Sequence, residues 1–234
     1  MLKSVLSLTL AMACASFAMA DEADIRKLME AKLGTKVDSV AKSGYLGLYE
    51  VYADGTIFYT DDKVSAIVVG GQLVDAKSMK NVTDERMRKL TAIRFGDLPL
   101  ERAIKQVRGD GKRVLASFED PNCGYCKRLA KEMQKLDNVT VYTFLLPILS
   151  EDSVRKSRQI WCSSDRAKAW NDWMIDGKVP AGREDCDTSA ITKNQDFGRK
   201  LNISGTPTLF FGDGERIPGA VPLARIEQKL NQVK

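Results

Sequence analysis

Hydrophobic and polar positions alternate with two different periods along this chain. Over residues 21–33, Ile25, Leu28, Met29 and Leu33 recur on one helical face, and Gly34 closes the helix. Shorter two-residue alternations follow. Runs at 46–52 and 56–59 flank Ala53-Asp54-Gly55, a hairpin signal, and runs at 64–69 and 72–74 flank Gly70-Gly71, a second one. Asn81-Val82-Thr83 then caps a helix running to about Ile93, with acids in its first turn and Met87, Leu90 and Ile93 on one face. Phe95 to Pro99 breaks it. A second short helix is predicted over 100–107, ending before Gly109 and Gly111, and residues 112–118 lead out as a buried strand.

Beyond that strand the pattern predicts a turn at Pro121-Asn122, a helix over 127–136 with Leu129, Ala130, Met133 and Leu136 inward, and a strand over 139–146 that stops at Pro147. Helical periodicity resumes over 151–176 with a break near Ser163-Ser164. Its Ile160, Trp161, Trp170, Trp173 and Met174 read as core rather than as a ligand platform. A helix over 189–201, a strand over 206–211, a turn at Gly212-Asp213-Gly214 and a helix over 222–233 complete the chain.

Composition adds little to this picture except at the amino end. With 234 residues, 44% hydrophobic and 29% charged, the chain has material for one large domain or two modest ones. Lys3, the apolar run 5–13 and the small residues Ala18-Met19-Ala20 before Asp21 read as an export signal cleaved after Ala20. The rival reading makes Cys14 the lipid-modified first residue of a lipoprotein, but Ala11-Met12 is a poor lead-in. No later stretch is long and apolar enough to span a bilayer, so the mature protein is expected to be soluble. The basic excess, +5 with the signal, is spread out. Its densest cluster, 86–89, reads as a solvated helix face rather than a nucleic-acid surface.

Cysteine placement changes the picture most. Cleavage leaves Cys123, Cys126, Cys162 and Cys186, an even count suited to an oxidising compartment. Cys123-Gly124-Tyr125-Cys126 lies between a buried strand and a helix, where free backbone N–H groups and the positive end of the helix dipole favour a thiolate at Cys123. An exposed Cys123 backed by a shielded Cys126 would attack disulfides and then be released by its neighbour. The simplest assignment joins Cys162 to Cys186 as a structural bridge. A zinc site would need a second close-spaced pair or histidines, and the chain has no histidine. No metal and no cofactor other than the redox-active dithiol is expected.

Gly205-Thr206-Pro207 before an apolar strand is the second chemical signal, since proline enters a strand at the loss of a backbone donor. A cis bond at Thr206-Pro207 would leave the Thr206 backbone facing the dithiol and an extended client segment; an ordinary trans proline at a strand edge is the alternative. The CxxC upstream favours cis.

These two motifs resemble the thioredoxin fold. FEDPNCGYCKRL, SGTPTLFF, YADGTIFYTDD and the NVT before the helix at 82 are, more closely, similar to the DsbC family of bacterial periplasmic disulfide isomerases, over essentially the whole mature chain. The resemblance implies an α+β N-terminal dimerisation domain at 21–81, a linker helix at 82–98, and an α/β thioredoxin-like catalytic domain with a helical insertion at 99–234. It implies a V-shaped homodimer whose apolar cleft holds misfolded exported proteins, Cys123 as nucleophile, Cys126 as resolving thiol, Thr206 and cis Pro207 beside them, the Cys162–Cys186 bridge, and a membrane reductant of the DsbD type. Isomerase activity with chaperone activity is the expected function. A DsbG-like reductase and holding chaperone, a dithiol oxidase and a thiol metal-binding protein are the alternatives; Gly124 stands where the DsbG branch has proline. Many thioredoxins bury an ionisable residue six positions before the first cysteine, but here that residue is Ser117. Glu119 and Asp120 lie nearer, either as caps of the turn or in proton transfer.

Overall fold

The computed structural model describes residues 22–233; the expected signal over 1–20 and Cys14 lie outside them. The chain divides into two compact units at Gly71 and Gln72. Among the described residues no helix is long and apolar enough to cross a membrane.

The first unit is a helix, α1 (Glu22–Leu33), followed by a four-stranded antiparallel sheet in the order β1 (Val37–Lys42), β2 (Tyr49–Ala53), β3 (Thr56–Thr60), β4 (Ile67–Val69). Ile25 and Met29 of α1 are fully buried against Val37, Val40, Val51 and Ala53 of the sheet. The hairpin expected at Asp54-Gly55 forms: both residues take positive φ (47° and 73°), and Ala53 pairs with Thr56. The second expected hairpin, around Gly70-Gly71, does not. Residues 67–69 pair back onto β3, because Asp61 turns the chain earlier by accepting the N–H of Ser65, and Val74 makes only an isolated bridge to Asn81. β1 escaped the two-residue pattern because a register irregularity between Val37 and Ser39 turns both Val37 and Val40 inward. β4 is an outer strand whose Val68 and Val69 are exposed.

In the second unit, a five-stranded sheet in the order β5 (Ile104–Arg108), β7 (Val139–Leu145), β6 (Arg113–Glu119), β8 (Thr208–Phe211), β9 (Arg216–Pro218) is antiparallel except for the β6–β7 pair. The helices are α2 (Val82–Thr91), α3 (Gly124–Met133), α4 (Glu151–Trp161), α5 (Arg166–Met174), α6 (Ser189–Lys200) and α7 (Leu223–Gln232). Phe118, Phe144 and Phe210, all fully buried, meet at the centre, with the Phe118 and Phe144 rings stacked 4.6 Å apart.

The helix expected over 100–107 is instead one tight turn, Leu100–Arg102, followed by β5. Ile104 and Val107, three apart, would share a helical face; on the strand they take opposite faces, Ile104 buried and Val107 exposed, and five pairings with β7 decide the outcome.

α2 begins at Asn81, whose side chain accepts the N–H of Asp84 at 3.0 Å. It belongs to this unit. Ile93 N–H donates to Gly214 O at 3.1 Å, and Arg88 lies 3.8 Å from Glu215. Gly214 has φ +84°, and a Cβ there would come within 2.0 Å of Ile93 O. Gly214→Ala is therefore expected to destabilise the unit by about 1–3 kcal/mol. Hydrogen exchange of α2 should rise with it, and a variant as stable and as protected as the parent would show that this contact holds nothing.

Candidate functional site

The site is built at the end of β6. This strand lies between β7 and β8, and its last residue, Glu119, pairs with Leu145. The chain then turns through Asp120, Pro121 and Asn122 into α3, with Cys123 as the N-cap and Cys126 in the first turn.

Asp120 makes that turn rigid. Its buried carboxylate accepts the N–H of Asn122 at 2.7 Å, of Ile148 at 2.8 Å and of Leu149 at 3.0 Å, and its carbonyl accepts the N–H of Cys123 at 3.1 Å. Pro121 O receives the indole N–H of Trp173 at 2.6 Å. Lys127 and Lys156 stand over the same indole ring, 3.8 and 4.6 Å from its centre. Burial, then the neighbouring charge of Lys156, pushes the Lys127 ammonium below its ordinary range. Asn122 Nδ2 donates to Asp152 at 2.8 Å, so α4 also grips the turn.

Cys123 and Cys126 are both free thiols. Cys123 Sγ donates to the Thr206 carbonyl at 3.2 Å, across 83 residues of sequence, and the Thr206-Pro207 bond is cis. Cys123 is less open than the sequence suggested, at 6% exposure, because the Thr206 segment lies against its sulfur. Gly124 and Tyr125 stand out beside it, Tyr125 60% exposed, and a Cβ at Gly124 would meet nothing. Cys126 is fully buried. Burial first, then the charge of Glu119 and the sulfur of Cys123, holds it as a neutral thiol, well above the ordinary range. The Thr206 hydroxyl is buried without a partner among the described residues.

Cys162 and Cys186 form a disulfide with Cα atoms 5.6 Å apart, tying the end of α4 to the loop before α6. They take no part in the dithiol site. Ile160, Trp161, Trp170 and Met174 are core, whereas Trp173 is half-buried and reaches the dithiol turn.

Glu119 is the residue whose part the sequence left open. It is completely buried, and burial raises its carboxyl to about 8. Ser117, on the same face of β6, pulls the other way, yet its hydroxyl and both Glu119 oxygens lack a partner in hydrogen-bonding geometry among the described residues. Of the two adjacent acids, Asp120 caps the turn and Glu119 does not.

Comparison with known proteins gives consistent results. The family model of the disulfide bond isomerase protein N-terminal domain matches residues 16–84, and that of the thioredoxin-like domain matches residues 100–234. The probable thiol:disulfide interchange protein DsbC of Bordetella parapertussis is 49% identical over 197 residues, 84% of this chain and 69% of that protein. The thiol:disulfide interchange protein DsbC of Escherichia coli K12 is 27% identical over 237 residues, 99% of this chain and 97% of that protein. The crystal structure of a disulfide interchange protein from Neisseria gonorrhoeae superposes with a TM-score of 0.55 at 43% identity, covering 58% of this chain and 97% of that one.

A carboxyl raised from 4.5 to about 8 binds more protons in the folded than in the unfolded chain between those values, so stability should fall as pH rises through that window. The loss is on the order of a few kcal/mol. Urea unfolding of the reduced protein at pH 5 and pH 8 measures it, and Glu119→Gln should flatten this slope. An equally steep slope in that variant would place the effect elsewhere.

Proposed function

Because this chain belongs to the DsbC family of thiol:disulfide interchange proteins, we propose that it is a periplasmic protein disulfide isomerase and reductase acting through Cys123 and Cys126. The observation that carries this reading is the dithiol at the amino end of α3, with Cys123 Sγ on the Thr206 carbonyl and Cys126 sealed beneath it. The outer sulfur attacks in its thiolate form, and it stands at the N-cap of α3 beside the exposed Gly124 and Tyr125.

Cys123 thiolate attacks one sulfur of a wrongly formed client bridge. A Cys123–client disulfide forms, and the other client sulfur leaves as a thiolate. A third client thiol can then attack the mixed disulfide and restore Cys123, which completes an isomerisation. Alternatively Cys126 attacks Cys123 and releases a reduced client, leaving the enzyme oxidised for a membrane reductant of the DsbD type. The dithiol needs no cofactor for either route. Around it, Tyr125, Ile148 and Leu149 are exposed apolar side chains. The last two are anchored by the same Asp120 carboxylate that fixes the dithiol turn. This rim supports a holding, chaperone-type contact with clients.

Repair requires that the client stay bound while bridges are exchanged, which a second site in the same molecule favours. The exposed outer strand β4 supports a homodimer built through the first unit. The protein acts in the periplasm, its export signal removed after Ala20.

Cys126→Ser should accumulate Cys123–client disulfides detectable by non-reducing electrophoresis, and Cys123→Ser should abolish them. Val69→Lys on β4 should give a monomer by light scattering. It should keep reduction of small disulfides and lose repair of a scrambled protein by roughly tenfold or more. A monomer that repairs undiminished would remove the dimer from the mechanism.

A further inference from the structure

Beside the dithiol turn, cations outnumber the anions that meet them. Lys127 directly follows Cys126, and its backbone N–H donates to the Cys123 carbonyl at 3.0 Å. Its ammonium does not stand out in water. It lies 3.8 Å from the centre of the Trp173 ring, with the Lys156 ammonium of α4 at 4.6 Å from the same centre, and the indole N–H holds Pro121 O just before Cys123. An aromatic face attracts cations without neutralising them.

Asp152 is the acid that meets this pair, and it is already taken. Lys156, Arg155 and the Asn122 amide all donate to it. Glu132 on α3 is held by Lys135, and the exposed Glu151 of α4 forms no ion pair among the described residues. Lys127 likewise has no carboxylate partner among the described residues, and neither do Arg128 and Lys131 further along α3. Arg128 instead covers the exposed Tyr125 ring at 5.2 Å. Burial, then the charges of Lys156 and Lys131, holds the Lys127 ammonium below its ordinary range. An anion arriving there relieves a cost that a fully solvated lysine does not carry.

We propose that Lys127 and Lys156, presented on Trp173, form a carboxylate-binding subsite beside the dithiol that favours client disulfides whose cysteines are flanked by aspartate or glutamate. The subsite deepens the exchange reading given above and rests on it. When the Cys123 thiolate attacks such a bridge, the Cys123–client bond forms, the client S–S bond breaks and the second client sulfur leaves as a thiolate. The carboxylate next to the attacked cysteine meets Lys127 while this happens. Charge complementarity of this kind selects among clients and speeds their encounter, which the apolar contact offered by Tyr125, Ile148 and Leu149 does not do.

A cation that served only the enzyme's own sulfur predicts a different pattern. It would change attack on every disulfide by one common factor, whatever the client carries. A client subsite changes the ratio between clients.

The test uses the full-length Cys126→Ser protein, in which a Cys123 adduct persists, and symmetric disulfides of capped peptides that differ only in having Glu, Gln or Lys on both sides of the cysteine. Adduct formation at neutral pH and low salt is followed by acid quench and mass spectrometry. Each rate is divided by that of 2-mercaptoethanol with the same peptide, which removes the reactivity of the peptide itself. The glutamate peptide should react about three- to fivefold faster than the glutamine peptide, the lysine peptide should be slower, and the preference should fade as salt is raised. Lys127→Gln should cut the glutamate preference to below about twofold. Lys127→Glu should reverse it in favour of the lysine peptide, an outcome that misfolding cannot produce. Equal rates for the glutamate and glutamine peptides, or one common slowing of all three in Lys127→Gln, overturns the proposal. Absence of a Cys123 adduct with any peptide would instead overturn the exchange reading beneath it.

Discussion

One buried carboxylate fixes where the dithiol sits. Asp120 receives three backbone N–H groups, one from the turn that leads into α3 and two from the loop after β7, while its own carbonyl accepts the N–H of Cys123. A charged acceptor satisfied this way inside protein forms stronger bonds than a neutral one, and removing it would strand buried donors. The dithiol turn and the placement of the exposed Ile148 and Leu149 beside it are therefore consequences of a single anchoring point at the end of a central strand.

The neighbouring acid is the counterpart. Strand alternation sends Glu119 to the opposite side from Asp120, into a space lined by Ser117 and shared with Cys126, where burial acts unopposed by any full hydrogen bond. Two carboxyls adjacent in sequence thus differ because of what each face offers: one is solvated by protein N–H groups, the other is not. The outer sulfur, by contrast, lies under a backbone carbonyl supplied from 83 residues away.

Much of this was legible in the chain itself, and the reasons for the remainder are local. The dithiol, its strand–helix setting, the Asp54-Gly55 hairpin and the break inside the helical insertion are all signalled by residues adjacent in sequence. β1 was hidden by an irregularity that spoils its period, and residues 104–108 read as helix because two apolar residues three apart fit that period before a partner strand is known. The hairpin expected at Gly70-Gly71 failed because Asp61 turns the chain sooner. The helix expected as a linker rests on Gly214, a contact between distant residues that no local pattern carries. Glu119 could have been singled out by counting in twos from Ser117, but its lack of a hydrogen-bond partner among the described residues is visible only once β7 and α3 are in place.

Trp173 carries a further consequence. Its indole N–H is bound to the carbonyl two residues before Cys123, with two ammonium groups over its ring. Any shift of the dithiol turn would reach this chromophore through that bond, so Trp173 emission is expected to differ between the closed and open states of the sulfur pair, an optical signal that needs no label.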